Sequence, residues 1–540
     1  MRGALTVGCV GVFACVLAAG SGWTAQSQVA GRRTIVVISD LHMGVGRRAP
    51  GQWHPYEDFR WSPEFAAFLD AVSADGAGAV DLVLNGDAFE LLQSSDVPCG
   101  VAAGVGCSEP EARRRLDRVL AAHDADIKAL GRFARIGSNR VVFVPGDHDA
   151  ALLFEALGRR LVEAIASPSG RVDIAASGRW VSSDGRVVAE HGHQIGWSVD
   201  TLENWPAPFV RRDGTVYLAR SAREDDIQSL YNRFEERYPI VDNLAAAGTG
   251  VKYALAAAGG ADVAALAPRL ARALLLITPW QQFRMELDDG EVESPVWDIA
   301  EVRRQGVAFM VASLPEDDPL KPSLVQVSAS GALSPLMQQW TDDEIAAVCD
   351  YRAAMRRARR RFEPAVTQFA PRGPAVSECP RTPDTRGAQF DYFWGSRDRM
   401  FARYIVSIGR AAGGVGGRSI DVFVHGHTHL ADRSQTTANM ISGGLLKIPM
   451  EGFSPVRGAL TPVAINAGAW QRTITPAQYE LMRRERSMPD DQLLRSLQPE
   501  DLPPCYSFVR IPPYTDAPSP SVRYWRRRGG EWGFAASCGG

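Results

Sequence analysis

At 540 residues the chain is long enough for about two to four ordinary domains, or for one large α/β domain carrying insertions, and it can bury a substantial core. Its 59 Lys and Arg against 62 Asp and Glu leave a formal charge of -3, which excludes the net basic surface a dedicated nucleic-acid binder uses to neutralise phosphates.

The opening MRGALTVGCVGVFACVLAAGSGWTAQS has one early arginine, an apolar stretch from Ala4 to Gly20, then small and polar residues. This predicts an export signal over residues 1–25. The apolar stretch is shorter than the roughly 20 residues a spanning helix needs, and no later stretch is apolar enough. The mature chain is therefore expected to be exported, periplasmic or secreted, without a transmembrane helix; its oligomeric state is left open. Removing the signal takes away Cys9 and Cys15, and the remaining even number of cysteines in an oxidising compartment suggests disulfides. Cys99 with Cys107 is the best local pair, and proximity in sequence suggests Cys349 with Cys379 and Cys505 with Cys538. None sits in a C-x-x-C pattern, so any metal site must use histidine and carboxylate.

From Arg33 the pattern is α/β: strand RTIVVISD, a helix-like EFAAFLDAVSA, strand VDLVLNGD, one long helix around Glu111 to Phe133, and strand RVVFVPGD. Continuous apolar strands alternating with amphipathic helices predict a sheet covered on at least one face, with ligands bound beyond the strands' carboxyl ends. Between about Trp197 and Phe393 the strand pattern gives way to Ala- and Arg-rich helical stretches, and residues 201–392 are predicted to form a mainly helical insertion, either a lid or platform over the site or a stabilising appendage. The core, begun over 33–200, resumes over 393–540 with a helix-like Asp391 to Arg410, strand SIDVFVHGHTH, a hairpin-like stretch near Leu445 to Pro449, and TPVAINAGAW. CYSFVRIP and PSVRYWRRRGGEWGF read as alternating strands completing a second sheet.

Seven of the nine histidines close such strands, in VVISDLH, VPGDHD, AEHGH and VHGHTH; only His54 and His123 lie elsewhere. A fifth patch, LNGDAFE, has Asp87 in the place of a histidine. Asp40-x-His42 and His427-x-His429 place pairs of ligand types two apart, which on an extended segment share a face. Strands lying side by side would bring all five patches to one rim, where imidazole and carboxylate together make a metal site.

These patches resemble the pattern of the calcineurin-like metallophosphoesterases, D-x-H, G-D, G-N-H-D/E, H and G-H-x-H, over roughly residues 33 to 200 and 393 to 475. ISDLHMG, GDAFELL and NAGAW are most similar to the bacterial branch containing the UDP-2,3-diacylglucosamine hydrolases. The resemblance implies a four-layer α/β/β/α sandwich and two divalent ions sharing a hydroxide. It assigns Asp40, His42, Asp87 and His429 to one ion, and Asp87 as a bridge with Asp147, His191 and His427 to the other. His148 would donate a proton to the leaving oxygen, with Asp149 holding its ring. Such mixed sites accept Mn, Fe, Zn or Co. The implied substrate is a small-molecule or lipid-linked phosphate mono- or diester. Two other readings stay open: a nucleotide- or lipid-linked pyrophosphate, and a non-catalytic phospholigand-binding protein on the same fold.

The chain departs from the family at Asp147, where asparagine is usual. A carboxylate there should tighten metal binding and weaken the pull on an anionic phosphate, unless the change is simply tolerated. His193 is an alternative to His191, a substrate contact or a hydrogen-bonded structural residue, and His425 reads as structural. Arg47 and Arg48 would suit a substrate phosphate if they are not solvated loop residues. Asn466 and Gly468 are implied to support the centre, and Trp205, Trp280, Trp297 and Trp340 either line a pocket or pack in the core.

Overall fold

The computed structural model describes residues 33–93, 99, 105–194, 202–221, 232–244, 249–258, 298–300, 321–322, 325, 342, 420–427, 429, 446–447 and 463–538. The export signal, the Asp391 to Arg410 helix, Cys349, Cys379, Trp280, Trp297 and Trp340 lie outside them.

In chain order the first half contains β1 (Thr34–Ile38), the short pair β2 (Arg47–Ala49) and β3 (Gln52–Trp53), α1 (Ser62–Asp75), β4 (Val80–Asn85), β5 (Val105–Ser108), α2 (Glu109–Ala122), α3 (Asp124–Arg135), β6 (Arg140–Val144), α4 (Glu155–Ile165), β7 (Val172–Ile174), β8 (Trp180–Val181), β9 (Val187–Ala189), β10 (Phe209–Arg212) and β11 (Thr215–Ala219). The second half adds β12 (Val422–His425), β13 (Leu446–Lys447), β14 (Val463–Asn466), β15 (Cys505–Ile511), β16 (Ser521–Arg528) and β17 (Glu531–Ala535).

Two sheets form the frame. The first has seven strands in the order β17-β16-β15-β1-β4-β6-β7, and the second has five in the order β13-β14-β12-β9-β8. β1, β4, β6 and β7 run parallel, as do β9, β12 and β14, so each set presents its carboxyl ends on one side. The apolar runs of β1, β4 and β6 are continuous because both faces of the first sheet are covered. Val36, Ile38, Leu82, Leu84, Val141 and Phe143 pack with Phe65, Phe68, Leu116 and Leu130 of the helices. Ile35, Val37, Val83 and Val144 point the other way and meet Val187, Ala189, Val422, Val424 and Ile465 of the second sheet. Helix, sheet and sheet are thus stacked as layers, and Val188 and Phe423 on the far face of the second sheet are buried as well. This mixed α/β architecture is consistent with the sandwich expected from the motifs.

The structure departs from the sequence reading in three places. The predicted single helix from Glu111 to Phe133 is two helices, broken at His123. The C-terminal strands extend the first sheet: β15 pairs antiparallel with β1, and β16 and β17 follow as a meander. The stretch read as free of strands holds the hairpin β10-β11, which adds to β5 in a three-stranded sheet. Disulfides join Cys99 to Cys107 and Cys505 to Cys538. Among the described residues no helix is long and apolar enough to cross a membrane.

Candidate metal centre

The carboxyl ends of β1, β4, β6, β9 and β12 carry Asp40 and His42, Asp87, Asp147 and His148, His191, and His427 and His429 respectively. Asp87, Asp147, His191 and His427 each place a ligand atom within 4.8 Å of the others', and Asp40, His42 and His429 do the same. His191 Nε2 lies 3.0 Å from Asp87 Oδ2, 3.1 Å from Asp147 Oδ1 and 4.0 Å from Asp40 Oδ1. His427 Nδ1 is 3.3 Å from Asp147 Oδ1, and His429 Nε2 is 3.3 Å from Asp40 Oδ1. Asp87 faces both groups, since its Oδ2 is also 3.8 Å from His42 Nε2.

The extended-strand argument for Asp40 and His42 is incorrect. Both lie past the end of β1 in the left-handed region, with φ of 54° and 49°. Asp87, His427 and His429 are left-handed too, at 51°, 68° and 58°. This conformation costs a non-glycine residue free energy and persists only where the surroundings enforce it, which marks the five positions as a functional constellation. It also splits the pair His427 and His429 between the two groups, which an extended strand would have kept together.

Backbone bonds lock these turns to one another. Asp40 N–H donates to Gly86 O and His42 N–H to Asp87 O, at 3.1 and 2.9 Å. His148 N–H donates to Asp87 Oδ1 and His427 N–H to Asp40 Oδ2, at 3.0 and 3.1 Å. Only glycine fits at two contacts: a Cβ at Gly86, whose φ is 87°, would stand 2.2 Å from the His191 ring, and one at Gly426 would stand 2.0 Å from Ser39 Oγ.

Asp40 Oδ1, His42 Nε2, Asp147 Oδ1 and His191 Nε2 are sealed from solvent and have no hydrogen-bond partner. Buried polar atoms are normally paired, so these four orphans, two in each ligand group, call for cations. The tautomers agree: His42 Nδ1 is 3.1 Å from Glu90 Oε2 and His191 Nδ1 is 3.0 Å from Asn85 O, which puts the proton on Nδ1 and leaves Nε2 bare as a ligand. Two imidazole-and-carboxylate groups this close suit divalent first-row ions.

His148 stands at the edge of these groups, its ring 4.7 Å from that of His42 and its side chain 14% exposed. Its Nδ1 lies 2.6 Å from Glu90 Oε2, and its Nε2 is 4.0 Å from Asp147 Oδ2. Burial works against a charged ring, but the Glu90 and Asp87 carboxylates outweigh it and hold the His148 pKa well above the ordinary imidazole value. The expected partner Asp149 does not hold this ring. It turns under the β6 loop, where Oδ1 accepts from Gly146 N–H at 2.7 Å and Oδ2 from Ala88 and Phe89 N–H at 2.9 and 3.3 Å. Sequence reasoning missed Glu90, although GDAFE carries it three residues after Asp87, within reach of the same rim.

His193 is buried edge-on against Trp205, 4.4 Å between ring centres and 5.6 Å from His191, and burial pushes its pKa down to about 3. His425 ends β12, with its Nδ1 3.4 Å from Asn466 Nδ2, while Asn466 Oδ1 accepts from Gly468 N–H at 2.7 Å. These three residues brace the loops around the ligand groups. Arg47 and Arg48 are exposed on the β2-β3 hairpin, and Arg47 stacks 3.8 Å over Trp53.

No curated protein and no solved structure matches the chain. Residues 33–242 match the family model described as calcineurin-like phosphoesterase, a span that includes Asp40, His42, Asp87, Asp147, His148 and His191 and ends before His427 and His429. This match supports the calcineurin-like phosphoesterase superfamily for that part of the chain, and the His/Asp groups are compatible with a metal-dependent phosphoesterase.

Proposed function

We propose that the protein is an exported hydrolase of phosphate mono- or diesters that works with two divalent cations. One is held by Asp40, His42, Asp87 and His429 and the other by Asp87, Asp147, His191 and His427. The observation that carries the reading is the set of four sealed, unpartnered ligand atoms beside His148. Bound divalent cations supply positive charge to phosphoryl oxygens and make water a usable nucleophile at neutral pH.

The chain's own residues do the rest. Glu90 accepts both the His42 and His148 Nδ1 protons with one oxygen, so a single carboxylate orients a ligand and the proton donor. Its other oxygen is fixed by Leu92 and Gln93 N–H at 2.8 and 2.9 Å, which prevents the carboxylate from swinging. His148 Nε2 is left to face the substrate and to give its proton to the departing alcohol oxygen. Export rests on residues 1–25, and the motif likeness to UDP-2,3-diacylglucosamine hydrolases brings no substrate with it.

The test is turnover of bis-p-nitrophenyl phosphate and p-nitrophenyl phosphate by the full chain with added Mn²⁺. Turnover of at least one is expected, and His148→Ala should lower it by about 10² to 10⁴. No turnover by wild type, or full activity in His148→Ala, would contradict the reading.

A further inference from the structure

β7 ends the first sheet and β8 ends the second, and both are short, with three and two residues. A cavity of about 440 Å³ opens between these two edges. That lies within the range of about 300 to 1,000 Å³ in which proteins hold small molecules.

Strand alternation makes the inner wall of this cavity apolar. Val142 shares a face with Val144, which packs against the second sheet, and Trp180 stands opposite Ala189 and so faces the first. With Ala175 they line the cavity, and Val142, otherwise part of the core, keeps 9% of its surface accessible. Val181, next in the lining, is one of the few exposed large apolar side chains among the described residues.

The rest of the lining is basic. It includes Arg140, Arg171 and Arg179, with Asp173 as its acid. Asp81 holds Arg140 with both oxygens, at 2.6 and 2.8 Å, and Arg33 at 2.8 Å; Glu190 lies 3.8 Å from Arg179. Arg171 differs. Its guanidinium is fixed by Gly137 O at 2.8 Å and Asn139 O at 3.1 Å, and no carboxylate among the described residues pairs with it. Four guanidiniums thus face three carboxylates, and the single positive charge left over suits a monoanion. A planar guanidinium held in place by carbonyls is ready to take a carboxylate.

An added peptide strand does not fit this edge. The N–H of Ile174 donates to Asp173 Oδ1 at 2.9 Å, and its carbonyl oxygen accepts from Ala176 N–H at 2.9 Å. The main-chain groups by which a strand would dock on β7 are therefore spent there. An apolar wall beside a fixed guanidinium remains, and this combination takes a small amphiphile.

We propose that this cavity binds a small apolar carboxylate, with its alkyl or aromatic body against Val142, Ala175 and Trp180 and its carboxylate on Arg171. The site is separate from the metal centre, since Arg140 and Val142 lie in the amino half of β6 and Asp147 follows its carboxyl end.

The test is calorimetric titration of the full chain with decanoate and with 1-decanol, which has the same alkyl chain without the charge. One decanoate per chain is expected, bound about tenfold or more tightly than decanol. Its affinity should be the same with and without loaded Mn²⁺. Arg171→Gln should remove the advantage of the acid and leave decanol binding unchanged, and Arg171→Lys should restore part of it. Ala175→Phe, which fills the cavity, should abolish binding of both. Either Arg171→Gln or Ala175→Phe decides alone if the other fails to keep the wild-type thermal midpoint. Absence of saturable decanoate binding in wild type overturns the site, as does equal affinity for acid and alcohol. An advantage that survives Arg171→Gln, or binding that survives Ala175→Phe, overturns it too. Decanoate binding that requires Mn²⁺ places the carboxylate on the metal ions and overturns the cavity as its site.

Discussion

Asp147 shows how much one side chain can carry at the residue scale. Its Oδ1 stands 3.1 Å from His191 Nε2 and 3.3 Å from His427 Nδ1, so a single oxygen faces the ligand group. An amide oxygen can take that place, with one negative charge fewer. Asp147→Asn should therefore keep its metal and its activity, with an affinity drop of about tenfold, or about 1.4 kcal/mol. Elemental analysis and metal titration of the purified variant check this; complete loss of metal would remove Asp147 from the ligand set. That these imidazoles and carboxylates gather at one rim was legible in the sequence, because both types close apolar strands that lie side by side. The orienting residue was not. Adjacency suggested Asp149 for His148, but the turn after β6 aims neighbouring side chains apart, and Asp149 is drawn under the loop by three backbone N–H groups. Only the register of β4 beside β6 shows that Glu90 takes that role.

At the scale of elements, the break between α2 and α3 is a tertiary effect. Periodicity ran through His123, and neither proline nor glycine marks the stop. The buried ring instead bridges Asp126, 3.0 Å from Nδ1, and Glu57, 3.2 Å from Nε2, and Glu57 in turn takes N–H groups of the loop after His42. The helix break therefore helps to fix the first ligand loop. Burial disfavours the charged ring, but Glu57 and Asp126 prevail and raise the His123 pKa from 6.5 to about 10. A folded-state pKa above the unfolded one contributes stability that is complete below about pH 6.5 and lost as pH rises through about 10. Urea denaturation of wild type and His123→Gln across that range should show the difference in stability between them shrinking as pH rises; a constant difference would contradict the assignment. His123→Ala, which leaves two buried carboxylates without their partner, should cost about 3 to 5 kcal/mol.

At the scale of the molecule, the sheets were legible because strands covered on both faces must be apolar throughout, as TIVVI and RVVFV are. Where the C-terminal strands would dock was not, since the residues of β15 to β17 mark them as strands but not which sheet edge they join. They lengthen the first sheet past β1 and leave the second sheet to carry β9 and β12, so the two sheets deliver ligands from opposite sides of one rim. The central claim is that this rim holds two divalent ions, with Asp87 between them. Elemental analysis of the purified full chain after Mn²⁺ loading and desalting tests it most directly. The account predicts close to two ions per chain in wild type and loss of both in Asp87→Ala. One ion or none in wild type, or two ions retained in Asp87→Ala, would contradict it.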